Sequence, residues 1–437
     1  MMRFNDAPVA IVRQLVHNGF EAYIVGGAVR DMLLGKQPKD YDITTNATPE
    51  EVRRVFGRRK CRLIGKRFRL ALVFWDGETY EVSTFRKEPN HIERRGRPTD
   101  RGEMIWNDNV FGTLEDDVRR RDFTANALYY DVNTDEIIDM INGMEDIKAR
   151  VVRCIGAPSK RFMEDPVRML RALKLVGQHQ FTMRENIHKA IVEKAALIQE
   201  ASSARLFEEL QKILNTDSAL PIFTACQENG FLIHFCPMLS ALWETPGGEL
   251  IRALLKQHDD CIDHEKGYFK EKSLPMTLMA LPYLLSEIDM NEVSRHVNIV
   301  ANQAACAKAI HTFFSTFDMP RELLYDIRDI VMLLPEMAAL HNLDKVRNNT
   351  IYPLAYEVFR LLTMANGWMA DAFAELPLPN DVSQWQEQAT QEIEEETNQP
   401  THPKRPRRRR RPGKRKGSAA DTPAQTTDDN TDTTDNE

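Results

Sequence analysis

The hydrophobic and polar positions follow two different patterns along the chain. Over residues 1–150, short apolar runs that alternate with period two are interspersed with segments of helical period. From about residue 155 to residue 390, successive amphipathic helices dominate and strand-like runs are few. Strands mixed with helices, followed by helices alone, predict an α+β domain joined to an all-α region.

Several segments of the first region carry signals for single elements. The run 21–27 (EAYIVGG) predicts a strand ending in a glycine turn, and 40–45 (DYDITT) alternates as a second strand. The segment 48–56 (TPEEVRRVF) has the capping signals of a short helix. Two β-rich runs within 69–85 flank the Asp-Gly pair at 76–77, a strong hairpin signal. The sheet is therefore expected to be mixed or antiparallel rather than doubly wound.

Composition narrows the class of protein. The 437 residues are 42% hydrophobic and 28% charged, which excludes wholesale disorder, collagen and coiled coil for most of the length. The longest apolar stretch, 276–285, contains Pro282 and is far shorter than the ~18 residues of a membrane span. The N-terminus lacks the apolar segment of a signal peptide. We therefore expect no membrane span and a cytoplasmic location.

The net charge of −7 is unevenly distributed. Residues 404–416 (KRPRRRRRPGKRK) hold ten of the 58 basic residues, and six of the 65 acidic residues follow them. The rest of the chain therefore has 48 basic against 59 acidic residues, or −11. Because residues from 421 onward are rich in Thr, Asp and Asn and lack aromatics, we predict that this tail is disordered.

The triplet Asp40-Tyr41-Asp42 is the first candidate for chemistry. In a strand, side chains at i and i+2 point to the same face, with Cα atoms about 6.5 to 7 Å apart. Two converging carboxylates suit one or two hard cations such as Mg²⁺, with room left for substrate phosphates. The alternative is two exposed carboxylates at the end of a strand.

The preceding segment GGAVRD, residues 26–31, offers a complementary anion site. Gly26 and Gly27 allow close approach of backbone, and the following helix presents free N–H groups to a phosphate. Arg30 adds further donors. The alternative is a simple strand-to-helix connection in which Arg30 and Asp31 form a surface pair.

The stretch GGAVRDMLLGKQPKDYDITT resembles the head of the class II nucleotidyltransferases of the polymerase β superfamily, the group of bacterial poly(A) polymerases and tRNA CCA-adding enzymes. The resemblance continues through YEVSTFR, DDVRRRDFTANAL and FMEDPVRMLRALK. Over about residues 20–215, it implies a polymerase-β-like head and a helical neck for base recognition. Beyond them, composition predicts a helical body, which we expect to hold the RNA 3′ end, and a disordered tail. The corresponding ranges are 1–150, 151–215, 216–396 and 397–437.

The same resemblance implies roles for individual residues. Asp40 and Asp42 would hold two Mg²⁺ ions, and ATP would be the substrate. Arg121 and Asp122 would lie near the nucleotide, at the start of an apparent helix whose Asn126 could reach the ribose or a phosphate. Two candidates compete for a third catalytic carboxylate. Asp122 is one, and the other is Glu81, which the returning strand of the predicted hairpin could bring beside the Asp40-Tyr41-Asp42 strand.

Glu164, Asp165 and Arg168 match the EDxxR motif that serves in CCA-adding enzymes as a template for the incoming base. Asp165 and Arg168 are helical neighbours and could present one hydrogen-bonding edge, with Arg171 behind them. The alternative is that Asp165 is a helix N-cap, with Pro166 at the first helical position. Both roles are compatible.

The resemblance implies transfer of AMP from ATP to RNA 3′ ends without a template, which in bacteria promotes RNA decay. Residues 63–75 (LIGKRFRLALVFW) resemble the bacterial poly(A) polymerase signature through their Gly65–Phe68 core. A tRNA CCA-adding enzyme is the alternative, and an RNA-binding protein without catalytic activity is a remote one. His258-Asp259 also matches the metal-binding pair of phosphohydrolases, although a polar helix-end cluster explains it better.

We expect the cations of the tail to bind RNA phosphates through counterion release, and the tail is also a candidate docking segment for RNA-decay proteins. The alternative is a solvated charge run or a nuclear import signal. The cations are Lys404, Arg405, Arg407, Arg408, Arg409, Arg410, Arg411, Lys414, Arg415 and Lys416.

Deleting residues 400–437 should weaken RNA binding without lowering turnover at saturating RNA, because the candidate catalytic residues all lie in the first half of the chain. Each lost phosphate contact should flatten the slope of log K against log salt by ~0.7 for single strands. The measurement is RNA affinity of both proteins from low to moderate salt. Equal slopes would mean that the arginine run does not contact RNA.

Overall fold

The computed structural model of the protein describes residues 4–64, 69–87, 110–264 and 271–379. Strands and helices alternate in the first part of the described chain, and helices dominate the rest, as the sequence predicts. The strands of the main sheet are β1 (Ala22–Val25), β2 (Asp42–Thr45), β3 (Cys61–Ile64), β4 (Leu70–Trp75), β5 (Glu78–Thr84), β6 (Tyr129–Asp131) and β7 (Glu136–Ile138).

The seven strands form one sheet in the order β3-β4-β5-β2-β1-β6-β7. Every neighbouring pair is antiparallel except β2 and β5, which run parallel. The predicted hairpin joins β4 to β5, and its turn residues Asp76 and Gly77 both have positive φ, +50° and +80°. Two positive φ values are the requirement of a type I′ turn. The prediction of a mixed sheet is confirmed.

Five helices accompany this sheet. The chain leaves β1 through Gly26, whose φ of +77° favours glycine, and enters the second helix at once. The third helix has the predicted capping box between Thr48 and Glu51. These helices are α1 (Asp6–His17), α2 (Gly27–Leu33), α3 (Pro49–Phe56), α4 (Leu114–Arg120) and α5 (Gly143–Ala149).

The predicted strand 40–45 is shorter in the structure. Strand β2 begins at Asp42, which pairs with Val25 at the end of β1. Because the chain turns away at Gly26, β1 has no residue left to pair with Tyr41 or Asp40. Asp40 therefore lies two residues before β2 rather than within a paired strand.

The segment after Asp122 also differs from the prediction, because the expected helix does not form there. Only the three residues Thr124–Asn126 form a 3-10 turn, and the chain then enters β6. The aromatic residues Tyr129 and Tyr130 favour a strand, and they pair with β1. Tertiary pairing thus overrides the local helical pattern.

Beyond residue 150 the described chain is helical apart from a short parallel pair, β8 (Val151–Val152) with β9 (Thr182–Met183). The prediction of an all-α back half is confirmed. Its helices are α6 (Pro158–Glu164), α7 (Val167–His179), α8 (Glu185–Lys194), α9 (Ser203–Leu214), α10 (Ala219–Glu228), α11 (Leu232–Phe235), α12 (Pro237–Leu242), α13 (Pro246–His264), α14 (Ser273–Ser286), α15 (Met290–Ser294), α16 (Ile299–Phe313), α17 (Arg321–Ala338), α18 (Leu343–Arg347), α19 (Tyr352–Asn366) and α20 (Ala370–Glu375).

The longest apolar stretch of the sequence forms the core helix α14. Every residue from Ser273 to Leu281 is buried, and the helix packs against α13, α16, α17 and α19. A helix that is apolar on all sides is typical of a protein interior. Within the described ranges, no helix combines the length and the hydropathy that a membrane crossing requires.

Helices α7 and α10 pack closely at Gly177. A Cβ atom at Gly177 would lie 2.5 Å from Cα and 2.6 Å from N of Ile222 in α10. Because backbone atoms cannot move aside as a flexible side chain can, we expect Gly177→Ala to lower the free energy of unfolding by about 1–3 kcal/mol. The measurement is chemical denaturation.

The matched control is Gly247→Ala in the first turn of α13. A Cβ there would meet Pro282 and Thr245 at 3.6 Å, an ordinary contact. Since alanine favours a helix over glycine, the stability of this variant should be unchanged or slightly higher. Equal effects of the two substitutions would contradict the packing account.

Candidate active site

Acidic residues of two neighbouring strands lie side by side at the middle of the sheet. Asp42 begins β2 and is paired in parallel register with Glu81 of β5, while Asp40 lies two residues before Asp42. Burial within the site raises the pKa of Asp42, Asp40 raises it further, and Arg121 opposes both. Burial also raises the pKa of Glu81, with Asp42 as the next cause. Both residues keep solvent-accessible surface, so they line an open cleft of concentrated negative charge.

The glycine turn and Arg121 border these carboxylates. A Cβ atom on Gly26 would lie 3.6 Å from Nη1 of Arg121 and 3.8 Å from Oδ2 of Asp42. Gly26 therefore brings backbone, the guanidinium of Arg121 and the carboxylate of Asp42 close together. The predicted residues Gly26, Arg121 and Asp42 form one cluster.

The guanidinium of Arg121 is held in place by residues that the motifs do not reveal. Its Nε and Nη2 donate to Oδ2 of Asp117 at 3.2 and 3.1 Å, and Nε also donates to the Tyr129 hydroxyl at 2.8 Å. Burial would raise the pKa of Asp117, but Arg121 and the Tyr129 hydroxyl outweigh it and lower the pKa. The spacing of Asp117 and Arg121 on one helical face is the only sequence signal for this contact.

Arg30 is engaged with protein groups rather than presented freely to the cleft. Its Nη1 donates to Oδ1 of Asn126 at 2.7 Å, and its Nε donates to Oδ1 of Asp31 at 2.9 Å. The pair with Asp31 is largely buried rather than on the surface. A Cβ on Gly27 would lie 3.4 Å from Nη2 of Arg30. Arg30 and Gly27 thus connect α2 to the turn that holds Asn126.

Asp122 joins the sheet region to α7. Its Oδ1 accepts hydrogen bonds from the Phe123 amide at 2.7 Å and from Nδ2 of Asn126 at 3.3 Å, and its Oδ2 lies 3.4 Å from Nη1 of Arg171. Burial would raise the pKa of Asp122, but Arg171 and Arg168 outweigh it and lower the pKa. Asp122 is therefore an ionised partner of arginines, in contrast to Asp42 and Glu81.

The first residue of the EDxxR motif is buried in an ionic network. Glu164 accepts from Nη1 of Arg161 at 2.9 Å, and its Oε2 lies 3.3 Å from Nη1 of Arg168. Arg161 also donates to the carbonyl oxygens of Arg120 and Arg121. This network ties α6 and α7 to the end of α4, where Arg121 begins the turn toward the cleft.

Asp165 is fixed by a residue that sequence reasoning missed. Both of its carboxylate oxygens accept from Arg205 of α9, each at 2.8 Å. Burial would raise the pKa of Asp165, but Arg205 outweighs it and lowers the pKa to about 2. Oδ1 also accepts from the Val167 amide at 3.3 Å. The predicted N-cap position is nevertheless wrong by one residue, because α7 begins at Val167 with Pro166 as its N-cap and Asp165 ends α6. Arg205 is 40 residues away in sequence, and no local pattern points to it.

Two lysines add positive charge beside the cleft. Lys212 of α9 is largely exposed, and its charge opposes the raised pKa of Asp42 and of Glu81. Lys174 of α7 is more buried, and its Nζ lies 3.7 Å from Oε2 of Glu209. Burial lowers the pKa of Lys174 while Glu209 opposes it. These lysines are suited to a phosphate group, and sequence motifs did not single them out.

Oxygen donors dominate the possible metal ligands. Among the described residues, no three side chains of His, Cys, Asp or Glu form a ready-made metal cluster. Mg²⁺ commonly takes one or two carboxylates from the protein, and the phosphates of a nucleotide complete its coordination. The raised pKa values of Asp42 and Glu81 show two carboxylates whose repulsion a cation would relieve. The donor set at Asp40, Asp42 and Glu81 therefore fits a hard divalent cation.

His258 and Asp259 have structural contacts in α13. Nε2 of His258 lies 3.0 Å from the Leu214 carbonyl oxygen at the end of α9. Asp259 accepts from the amides of Ala219 and Leu220 at 3.0 and 2.9 Å, which caps the start of α10. This agrees with a polar helix-end cluster rather than a phosphohydrolase metal pair.

Two groups of predicted residues lie outside the described ranges. The Gly65–Phe68 core of the poly(A) polymerase signature falls between β3 and β4, and the basic residues 404–416 fall beyond residue 379. Their predicted roles stay predictions.

Two family models match the chain. The model described as "Poly A polymerase head domain" matches residues 22–153, which contain the seven-stranded sheet and Arg121. The model described as "Probable RNA and SrmB- binding site of polymerase A" matches residues 180–242. The two matches cover the sheet region and part of the following helices.

Curated relatives agree with these models. Poly(A) polymerase I of Salmonella typhi is 39% identical over 267 residues, which cover 60% of this chain and 57% of the relative. Poly(A) polymerase I of Haemophilus influenzae is 41% identical over 54% of this chain and 53% of the relative. The CCA-adding enzyme of Lactobacillus helveticus is 41% identical over 46% of this chain and 48% of the relative. The chain thus spans about half the length of the curated relatives it matches.

Solved structures share the fold over most of the chain. The Bacillus stearothermophilus CCA-adding enzyme in complex with CTP has a TM-score of 0.55 at 23% identity, covering 88% of this chain and 90% of that chain. A CCA-adding enzyme with ATP has a TM-score of 0.52 at 20% identity, covering 84% and 80%. In residues 22–153 and 180–242, the chain is thus similar to the bacterial poly(A) polymerases and CCA-adding enzymes.

Proposed function

We propose that this protein is a poly(A) polymerase, which transfers AMP from ATP to the 3′-hydroxyl of RNA without a template and releases pyrophosphate. The observation that carries the proposal is the register of β2 and β5, which places Glu81 opposite Asp42 beside the Gly26 turn. Converging carboxylates next to a backbone turn and a cation suit phosphoryl transfer, in which positioning and electrostatic stabilisation supply most of the catalysis.

Asp40, Asp42 and Glu81 are the residues that would hold two Mg²⁺ ions. When bound, the ions lower the pKa of the RNA 3′-hydroxyl and neutralise charge on the triphosphate. The protein itself contributes the close backbone approach at Gly26 and a guanidinium fixed by Asp117 and Tyr129. Lys212, which is largely exposed, would supply a further cation for a phosphate.

Glu81, rather than Asp122, is the better third carboxylate. Glu81 is paired in register with Asp42, and burial, followed by the charge of Asp42, raises the pKa of Glu81. Asp122 is buried, accepts two hydrogen bonds through Oδ1 and is paired with Arg171. Its role in the proposal is to position Asn126 and Arg171 beside the nucleotide.

Asp165 and Arg168 are proposed to read the base of the incoming nucleotide. Arg205 holds the Asp165 carboxylate by a bidentate pair, which restricts the directions in which it can accept a further hydrogen bond. Glu164 restrains Arg168 through a single contact, between Oε2 and Nη1 at 3.3 Å. A rigid acceptor beside a rigid donor can select a base whose edge has an amino donor next to a ring-nitrogen acceptor, as adenine and cytosine have, over guanine and uracil.

Curated poly(A) polymerase relatives and the signature at 63–75 support ATP as the preferred nucleotide. The tRNA CCA-adding activity is the second candidate, and the 41% identity to the Lactobacillus helveticus enzyme favours it. The three carboxylates at the cleft argue against a protein without catalytic activity. In this proposal the domains keep the predicted ranges, with the head at 1–150, the neck at 151–215 and the body at 216–396.

The third carboxylate can be tested by comparing Asp42→Asn, Glu81→Gln and Asp122→Asn. We expect the first two to lower AMP incorporation on the order of 10²–10³-fold or more, because each removes charge at the reacting phosphate. Asp122→Asn should retain more turnover than either of these two variants. A radiolabelled primer-extension assay with Mg²⁺ measures this, and near wild-type incorporation by Asp42→Asn or Glu81→Gln would contradict the assignment.

Thermal unfolding at neutral pH gives an independent control on these variants. Groups with a raised pKa, such as Asp42 and Glu81, disfavour the folded state when ionised, so neutral replacements should unfold at the same or a higher temperature. Folding lowers the pKa of Asp122, so its ionised carboxylate stabilises the folded protein. This stabilisation is fully present above the pKa of Asp122 in the unfolded chain, about 3.9, and is lost as the pH falls below it. Asp122→Asn should therefore unfold at a lower temperature at neutral pH.

Nucleotide choice distinguishes the two enzymatic candidates. Each of the four nucleotides is offered separately to the enzyme with a radiolabelled RNA, and we expect incorporation of ATP and rejection of CTP. Arg168→Ala should raise the ATP KM and relax the rejection of GTP and UTP, because the site loses donors that match the ring-nitrogen acceptor of the base. Efficient use of CTP by the wild-type protein would favour the CCA-adding candidate.

The matched control for Arg168→Ala is Lys160→Ala. Lys160 is exposed, and its Nζ lies 3.9 Å from Oε1 of Glu164, the same carboxylate that contacts Arg168. Lys160→Ala removes one positive charge, as Arg168→Ala does, but it removes no hydrogen-bond donor that is proposed to contact the nucleotide base. An equal loss of discrimination in both variants would mean that EDxxR serves only to begin the helix.

A further inference from the structure

A recess of about 290 Å³ lies between α16 and α17, outside both segments that the family models match. Its apolar wall includes Ile310 and Leu324, and its polar wall includes His311, Arg321, Tyr325 and Arg328. The volume is near the lower end of the ~300–1,000 Å³ range of small-ligand pockets. The recess is therefore large enough for one planar group rather than for a folded partner.

The sequence of α17 separates its charges by helical face. Arg321, Tyr325 and Arg328 follow a spacing of four and three residues, which places them on one face, and all three line the recess. The acidic residues of the same helix, Glu322, Asp326 and Asp329, fall on an adjacent face. Arg328 is paired with Asp329 at 2.7 Å, whereas Arg321 forms no ion pair within the part of the chain that the structure describes. The guanidinium of Arg321 therefore has N–H groups available for a ligand in the recess.

An aromatic platform borders this cation. Cζ of Arg328 lies 5.1 Å from the centroid of the Tyr325 ring, within the distance of a cation–π contact. The Tyr325 residue nevertheless stays 54% exposed. An exposed ring stacked with a guanidinium is a surface on which a nucleobase of any identity can stack.

The recess is connected to the nucleotide site through the neck. The turn between α16 and α17 contacts the start of α9, where the Asp318 amide donates to the Ser203 carbonyl oxygen at 3.4 Å. Phe317 of the same turn packs against Phe235, with ring centroids 5.4 Å apart. Two residues beyond Ser203, Arg205 binds Asp165 of the EDxxR motif. The helices that form the recess are thus anchored on the same neck helix as the base-reading residues.

We propose that this recess binds one nucleotide of the single-stranded RNA substrate, upstream of the reacting 3′ end. The base stacks on Tyr325 and Arg328, and Arg321 contacts a phosphate. This inference rests on the proposed function for the identity of the RNA. Stacking is independent of base identity, which suits an enzyme that extends unrelated RNA ends.

The test is equilibrium binding of a fluorescein-labelled, twenty-nucleotide oligoadenylate to the full-length protein, without nucleotide, across a range of salt concentrations. We expect Tyr325→Leu to weaken binding by about fivefold or more at every salt concentration, since stacking is worth ~1–3 kcal/mol per base. Tyr325→Phe keeps the ring and should bind like the wild type. Arg321→Gln should reduce the salt slope by ~0.7, the value for one phosphate contact on a single strand.

The control is Arg295→Gln, which removes an exposed cation outside the recess and should leave the affinity and slope unchanged. Unchanged affinity of Tyr325→Leu, or equal effects of Arg321→Gln and Arg295→Gln, would overturn the proposal and leave a protein as the candidate occupant. AMP incorporation by the same preparations separates the two hypotheses. If the wild type binds RNA through Tyr325 but incorporates no nucleotide, the proposed function fails while the RNA site stands.

Discussion

The parallel pairing of β2 with β5 brings two carboxylates of like charge into register, and much of the surrounding structure compensates for that placement. Asp42 and Glu81 repel each other, and both have a raised pKa. Their placement is unfavourable for folding, so hydrophobic burial elsewhere in the sheet must offset it. In the proposed function, bound cations would relieve this repulsion.

Arginines bind the carboxylates outside the cleft, and their contacts connect distant parts of the chain. Arg121 is fixed by Asp117, Arg171 meets Asp122, and Arg205 holds Asp165 through two hydrogen bonds. These partners have lowered pKa values, opposite in direction to Asp42. The carboxylates thus fall into two groups: those held by arginines connect elements of the fold, whereas Asp42 and Glu81, which form no ion pair among the described residues, are exposed to solvent.

Local sequence predicted the elements better than it predicted the contacts between them. The hairpin at Asp76-Gly77 and the cap at Thr48 were predictable because turn and cap chemistry acts over a few residues. The hairpin also made Glu81 a reasonable neighbour of β2. Asp117 and Arg205 were missed because their partners depend on tertiary packing, which no short pattern encodes. The helix expected after Asp122 was wrong because pairing of Tyr129 with β1 determines the backbone there.

The central position of β1 has a consequence for how the protein is made. Strand β1 pairs with β2 on one side and with β6 on the other, and Val25 meets Tyr129, about a hundred residues later in the chain. Contacts between residues so far apart in sequence form slowly, because the chain loses the conformational entropy of a large loop before the strand pairing stabilises it. During synthesis, Gly26 and Asp42 leave the ribosome well before Arg121 and β6 do. The cleft therefore cannot be complete in a short nascent chain, and its charged residues come together only when the last strands of the sheet join.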